Sequence, residues 1–403
     1  MFRNETLFRL SLIAASVLFT LILGEVGLRL FSFQDRDGNI YVGSFRVKPF
    51  HLPLNTLKTK LEKYVKSEQT YFLYDQDLGW TVGPNGEFAG GLYISNASGI
   101  RTSSLRKETA SQPLPGTLRI AIFGDSFTHG DNVPYEDSWG AILEAQLNQM
   151  GHKVEVLNLG GPGYGMDQAF LRWKKHGNPL KADIVIFGFQ KSNVKRNMNI
   201  LRFLYSPESG IIFSKPRFVL EGDHLRLVNV PTLRPENLIN TLKNFNSWEL
   251  KEHEFFFQAG DYTDRPLYAS RLAAFVITGL TTKFSTRRKD YDFFAPNSTS
   301  RKLAWRLIQE FEREVTQEGA HFVMVHLPTK TPIKKLMKGK SLSYQGLLDD
   351  IMANYDLIDP APGLVHEIEV SSLEALFEPE SSHYSARANR VIGKAVAKML
   401  LVR

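Results

Sequence analysis

The chain has 403 residues, no cysteine and a formal net charge of +7. The missing thiols exclude disulfides, thiolate catalysis and cysteine metal sites, and a composition of 43% apolar and 23% charged residues excludes wholesale disorder. The basic residues are scattered in short clusters such as Lys334-Lys335 and Arg287-Arg288-Lys289, which read as solvated surface rather than a nucleic-acid footprint, so no nucleic-acid partner is expected.

From Leu10 to Gly24 the sequence LSLIAASVLFTLILG holds no charge and follows Arg3 and Arg9. It is shorter than the roughly 20 residues of a full span, but Val26, Leu28, Leu30 and Phe31 extend it past Glu25 and Arg29. No small-x-small cleavage site follows, so residues 1–31 are read as an uncleaved single-pass transmembrane anchor, with a removed signal peptide and a buried helix as alternatives. Arg29, Arg36, Arg46 and Lys48 balance the basic residues before the segment, so charge does not set its orientation.

Residues 32–115 read as a stalk with a small β-rich segment. A basic stretch from Lys58 to Lys66 suits a short helix, and Tyr71 to Thr102 alternates short aromatic or aliphatic runs with Gly, Asn and Pro, the pattern of small strands joined by turns. Ser111-Gln112-Pro113-Leu114-Pro115 then reads as a linker.

At residues 118–123 the run LRIAIF is almost continuously apolar, as a strand buried on both faces of a parallel sheet must be. A helix carrying Trp139, Ile142, Leu143, Ala145 and Leu147 follows, then a strand at Val154 to Leu157, a helix from about Met166 to His176, and a strand at Ile184 to Phe187. This alternation predicts an α/β domain with a parallel sheet over residues 116–403. Residues of about 198–298 interrupt it as an inserted cap, with a hairpin across Gly222-Asp223 and aromatic segments including Tyr205, Trp248, Tyr262, Tyr268 and Tyr291, read mainly as packing. A helix near 300–317, a strand at Phe322 to Val325, a helix near 343–353, Leu357-Ile358 and a final helix from about Ser385 resume the pattern.

Four polar segments fall where strands of an open parallel sheet release their ligand-facing loops. Gly124-Asp125-Ser126 follows the first buried strand; taken alone, it could be no more than a helix cap. Gly160-Gly161-Pro162-Gly163-Tyr164-Gly165 follows the second, where a backbone amide at Gly163 could serve an oxyanion; as a dinucleotide fingerprint it is weak, because the third glycine position falls on Met166 and Pro162 occupies the middle, and a nucleotide-binding α/β protein is a third, weaker reading. Asn193 follows the third strand and offers an amide donor. Near the end, Glu380 precedes His383 by three residues, a spacing that fits an orienting acid and a general base. Asp125 reads as a turn-fixing residue, His129 as a residue that lines the cleft without taking protons, and His321 with His326 as a poor metal pair. Neither a metal nor a cofactor is expected.

Together and in this order, the four segments resemble the blocks of the SGNH (GDSL) hydrolase family, across about 116–198 and 300–402. The leader, Leu78-Gly79-Trp80 with Gly83-Pro84-Asn85, and Gly99-Ile100-Arg101 resemble the membrane-anchored bacterial members. The resemblance implies a three-layer α/β/α flavodoxin-like sandwich, with Ser126 as nucleophile, His383 as base, and an oxyanion hole from the Ser126 and Gly163 amides and an asparagine. It also implies a serine esterase or O-acyltransferase acting on acylated, often acetylated, carbohydrate, held on the cytoplasmic membrane with its catalytic domain outside, in the periplasm. Two positions depart from the family. In strict register Ser192 takes the family's Asn position and Asn193 its Asp position, so either could supply the donor. The acid before His383 is Glu380 in one register and is replaced by Ser381 in the other, which leaves a Ser-His dyad open. A catalytically weakened polysaccharide-binding or assembly protein is the alternative function; the acyl group, the acceptor and the oligomeric state are not set by the sequence.

Overall fold

The computed structural model describes residues 2–103, 108–284 and 291–401; the Arg287-Arg288-Lys289 cluster lies outside them. Its contacts divide the chain into two compact units, one of residues 1–63, 239–251 and 257–291, the other of residues 64–238, 252–256 and 292–403.

In the first unit, the helix Phe2–Leu30 carries an apolar stretch from Glu5 to Leu30 whose side chains are not buried by the protein, long and apolar enough to cross a membrane. At its end Glu25 accepts hydrogen bonds from the Ser270 hydroxyl and the Arg271 and Leu272 amides. It thereby satisfies donors that the helix Arg271–Phe284 would otherwise leave open. A three-stranded antiparallel sheet, β1 (Ser32–Gln34), β2 (Ile40–Val42) and β3 (Phe45–Val47), packs a small core of Ile40, Val47, Tyr268 and Ala274.

The second unit is α/β. Two strands, β4 (Phe72–Asp75) and β5 (Gly79–Val82), form a hairpin. The main sheet contains β6 (Glu87–Phe88), β7 (Tyr93–Ser95), β8 (Arg101–Thr102), β9 (Leu118–Gly124), β10 (Val154–Asn158) and β11 (Ile184–Phe189). Outside it, β12 (Arg217–Glu221) and β13 (His224–Val228) pair across Gly222-Asp223 as the expected hairpin. The sheet is completed by β14 (His321–His326) and β15 (Leu357–Ile358).

The parallel strands run in the order β10-β9-β11-β14-β15, which is the 2-1-3-4-5 order of a flavodoxin-like doubly wound sheet. Beside β10 the order continues through β8, β7 and β6, all antiparallel. Of the segment read as β-rich, β6, β7 and β8 thus share the sheet of the α/β strands, whereas β4 and β5 pair only with each other.

The apolar run of β9 is buried because both faces are covered: Ile120 and Ile122 join a core with Trp139, Leu143 and Leu147 of the helix Trp139–Gln149 and Ile392 and Val396 of the helix Ala386–Leu401, while Phe123 packs on Phe311 of the helix Thr299–Gln317. The sequence pattern placed Ala145 on the buried side of its helix; it is exposed, and Gly140 is buried in its stead. The helix expected to reach His176 ends at Arg172 and continues as a π-type turn over Trp173–Gly177.

Candidate active site

Ser126 stands at the first helical turn after β9, where the Asp125 carboxylate caps the turn by accepting the Phe127 amide. Asp125 is fully buried, and the Arg196 guanidinium at 2.6 Å and the Asn193 amide at 3.2 Å hold its other oxygen. Asp125 therefore fixes the turn, as its sequence position suggests. The loop after β10 lies directly against this turn. Gly161 donates to the Gly124 carbonyl, Asn158 donates to the Thr128 carbonyl at 3.0 Å, and a side chain at Gly160 would overlap the His129 backbone, so only glycine permits the approach.

His383 arrives from the turn before the last helix. Phe377 and Tyr384 bridge that turn and are both buried, and Phe127 packs against the rings of His383 and Tyr384 at 5.1 and 4.9 Å. This aims the imidazole at the nucleophile loop. Its Nε2 lies 2.9 Å from Ser126 Oγ, hydrogen-bond reach for a base and its nucleophile. Its Nδ1 lies 2.7 Å from Asn132 Oδ1. An amide oxygen only accepts, so Nδ1 carries the proton and Nε2 is free to accept from Ser126.

The structure does not bring Glu380 to that position. Glu380 is exposed and makes no hydrogen bond or ion pair among the described residues, and Ser381, in the other register, uses its hydroxyl to accept the His383 backbone amide. Asn193 is likewise turned inward: Oδ1 accepts the Gln190 amide, and Nδ2 donates to Asp125 and to the Tyr164 carbonyl at 3.1 Å. Both amide hydrogens are thus taken, and none is left for a substrate. Ser192 is half-buried, and its hydroxyl is unengaged among the described residues. The backbone N–H groups of Ser126 and Gly163 are also unengaged among the described residues, and Gly163 holds a left-handed conformation with φ of +76°.

Asp131, Asn132 and Tyr71, which the sequence patterns passed over, build the surroundings of this pair. Asp131 Oδ2 lies 4.0 Å from His383 Nε2, and its Oδ1 lies 2.6 Å from His129 Nδ1. His129 is fully buried and does not line a cleft; its Nε2 meets the Tyr71 hydroxyl at 2.7 Å. Burial, reinforced by the Arg101 and Arg172 charges, pushes the His129 pKa well down, so the ring is neutral. Burial pushes Asp131 up to about 6 despite the opposing fields of His383, Arg101 and Arg196. Arg101, on β8, clamps the loop by donating to the Gly130 and Val133 carbonyls at 2.6 Å each and to the His129 carbonyl. The signal for Asp131 and Asn132 was their place directly after His129-Gly130 in a chain whose histidine turn lacks an aspartate; for Tyr71 no local signal exists.

Among the described residues no group of His, Asp and Glu is arranged to hold a metal. His326 is buried with both nitrogens engaged, by Asp359 at 2.9 Å and Tyr344 at 3.0 Å, and His321 pairs with Asp356.

No protein-family model and no curated protein matches the chain. Among solved structures it is similar to a member of the lipolytic protein G-D-S-L family from Veillonella parvula, at 12% identity over 70% of this chain and 98% of that one, with a TM-score of 0.34. It is also similar to a lipase/acylhydrolase from Enterococcus faecalis, at 11% identity over 70% and 95% with a TM-score of 0.35. A third is an acetylxylan esterase from Geobacillus stearothermophilus, at 12% identity over 70% and 93% with a TM-score of 0.36.

Proposed function

We propose that this chain is a serine esterase of the SGNH type, in which Ser126 is acylated and His383 moves the protons. The observation that carries the reading is the 2.9 Å contact between Ser126 Oγ and His383 Nε2, with Nδ1 locked as donor to Asn132. As Oγ attacks an ester carbonyl, its proton passes to Nε2. The resulting oxyanion is taken by the Ser126 and Gly163 amides, aided by the Ser192 hydroxyl rather than Asn193. The C–O bond then breaks, Nε2–H protonates the departing alcohol, and water repeats the sequence to release the acid. A sugar hydroxyl in place of water would make the protein an O-acyltransferase.

The substrate class follows from the sequence resemblance: O-acyl, chiefly O-acetyl, esters of extracytoplasmic carbohydrate. The apolar helix Phe2–Leu30 supports a single-pass anchor; the bacterial cytoplasmic membrane and the periplasmic side of the catalytic unit follow from the sequence resemblance. The inward-turned Asn193 favours a second reading, a polysaccharide-binding protein with weakened catalysis.

Labelling with a fluorophosphonate separates the two. An esterase is labelled at Ser126 and the label disappears in Ser126→Ala. An unlabelled protein that still binds acetylated glycan is the binding module.

A further inference from the structure

We infer that Asp131, from the nucleophile's own loop, supplies the charge that stabilises protonated His383, and that His129 and Tyr71 are a buried brace that aims it. This rests on the serine-esterase reading above. A base that collects a proton needs two supports: something to fix its tautomer and something to balance the positive charge it acquires. In this site the supports are separate atoms. Asn132 Oδ1 fixes the tautomer at 2.7 Å from Nδ1 but is neutral. Asp131 Oδ2 lies 4.0 Å from Nε2, the nitrogen on which the Ser126 proton arrives.

The proton inventory of the brace is self-consistent. The carboxylate can only accept, so His129 Nδ1 is the donor at 2.6 Å; Nε2 of that neutral ring must then accept, and the Tyr71 hydroxyl donates to it at 2.7 Å. Both rings are buried, so they have little freedom to turn Asp131 away. The charged and titratable groups facing Asp131 are His129, His383, Arg101, Arg196, Tyr71 and Tyr93. The guanidinium groups are committed elsewhere, Arg101 to loop carbonyls and Arg196 to Asp125, and His383 is the group whose charge changes in the reaction. Glu380, by contrast, stands in solvent, where its field is screened.

Asp131 is therefore a positioning residue, acting through His383. The test uses the full chain and hydrolysis of p-nitrophenyl acetate. Asp131→Asn keeps the shape and the bond to His129. It should lower kcat/KM about 10- to 100-fold through kcat, with KM unchanged. It should also change the acid limb of the pH profile, because it removes the titration of Asp131, whose proton burial holds up to about 6. Glu380→Gln should stay within about 2-fold of the parent. An unchanged rate and limb in Asp131→Asn, or the loss appearing in Glu380→Gln, overturns the inference. If Asp131→Asn does not fold, Tyr71→Phe decides: a lower kcat at constant KM supports the brace, and an unchanged kcat overturns it. Fluorophosphonate labelling keeps the two claims apart. A parent protein that is not labelled at Ser126 sinks the esterase reading and this inference with it; a labelled parent with an indifferent Asp131→Asn sinks only the inference.

Discussion

The nucleophile turn and the histidine turn supply one reacting atom each, yet they are built differently. Around Ser126 the residues are buried, the side chains of Asp125, Asn158 and Arg101 bond the backbone of the turn, and Arg196 holds the Asp125 carboxylate. The turn carrying His383 is packed at its ends by Phe377 and Tyr384 and closed by its own backbone bonds, such as Glu378 N–H to the His383 carbonyl, while its tip, with Glu380 and Ser382, is exposed. Screened side chains on an exposed tip cannot stabilise charge well, whereas a buried turn can. The difference teaches that support for the base need not come from the base's own segment: Asp131 and Asn132 reach His383 from the opposite turn.

The largest effects should fall on both turns equally. Ser126→Ala and His383→Ala should each cost about 10⁴-fold or more in kcat, and the double variant should cost little beyond either, since the two act as a unit. Additive losses in steady-state rates would break that pairing. Asn132→Ala should cost about 10-fold at constant KM, because the free imidazole then samples the wrong tautomer and orientation; exogenous acetamide or formamide offers a rescue to measure.

Next comes a stability effect confined to the nucleophile turn. Asp131 binds its proton more tightly in the fold, at about 6 against the usual 3.8. That contribution to stability is complete below the unfolded value and is lost as pH rises through about 6. The ionised carboxylate thus destabilises the protein at neutral and alkaline pH. Asp131→Asn should raise Tm by a few degrees at about pH 8 and by less at about pH 4.5 while it slows the enzyme. A Tm that falls equally at both would mark Asp131 as purely structural. The smallest effect belongs to the histidine turn, where Ser381→Ala removes one hydroxyl that accepts the His383 amide; kcat should change by less than about 3-fold.

Legibility followed the range of the interactions. The apolar runs of β9, β11 and β14 announced a buried parallel sheet because burial on both faces leaves a local imprint on composition. Ser126, Gly163 and His383 were singled out as candidates because their segments sit at strand-to-loop junctions in an order that resembles the SGNH blocks. Glu380 and Asn193 were judged by spacing, but spacing does not reveal which way a side chain turns. Asn193 spends its amide on Asp125, 68 residues away, and His383 finds Asn132 across 251 positions. Partners so distant leave no periodicity to read, and Tyr71, 58 residues before His129, is of the same kind.

The clamp made by Arg101 sets a limit on how this catalytic unit can be cut or transplanted. A chain begun at the Pro-rich stretch near residue 115 would keep every residue of the four motif blocks, yet lose Tyr71, Tyr93 and Arg101 together. The carbonyls of His129, Gly130 and Val133 would lose their shared donor, and unpaired buried carbonyls are costly. The smallest portable unit is therefore not the segment that bears the motifs: it begins ahead of Tyr71, and any graft of the serine loop into another scaffold must bring a guanidinium to its carbonyls.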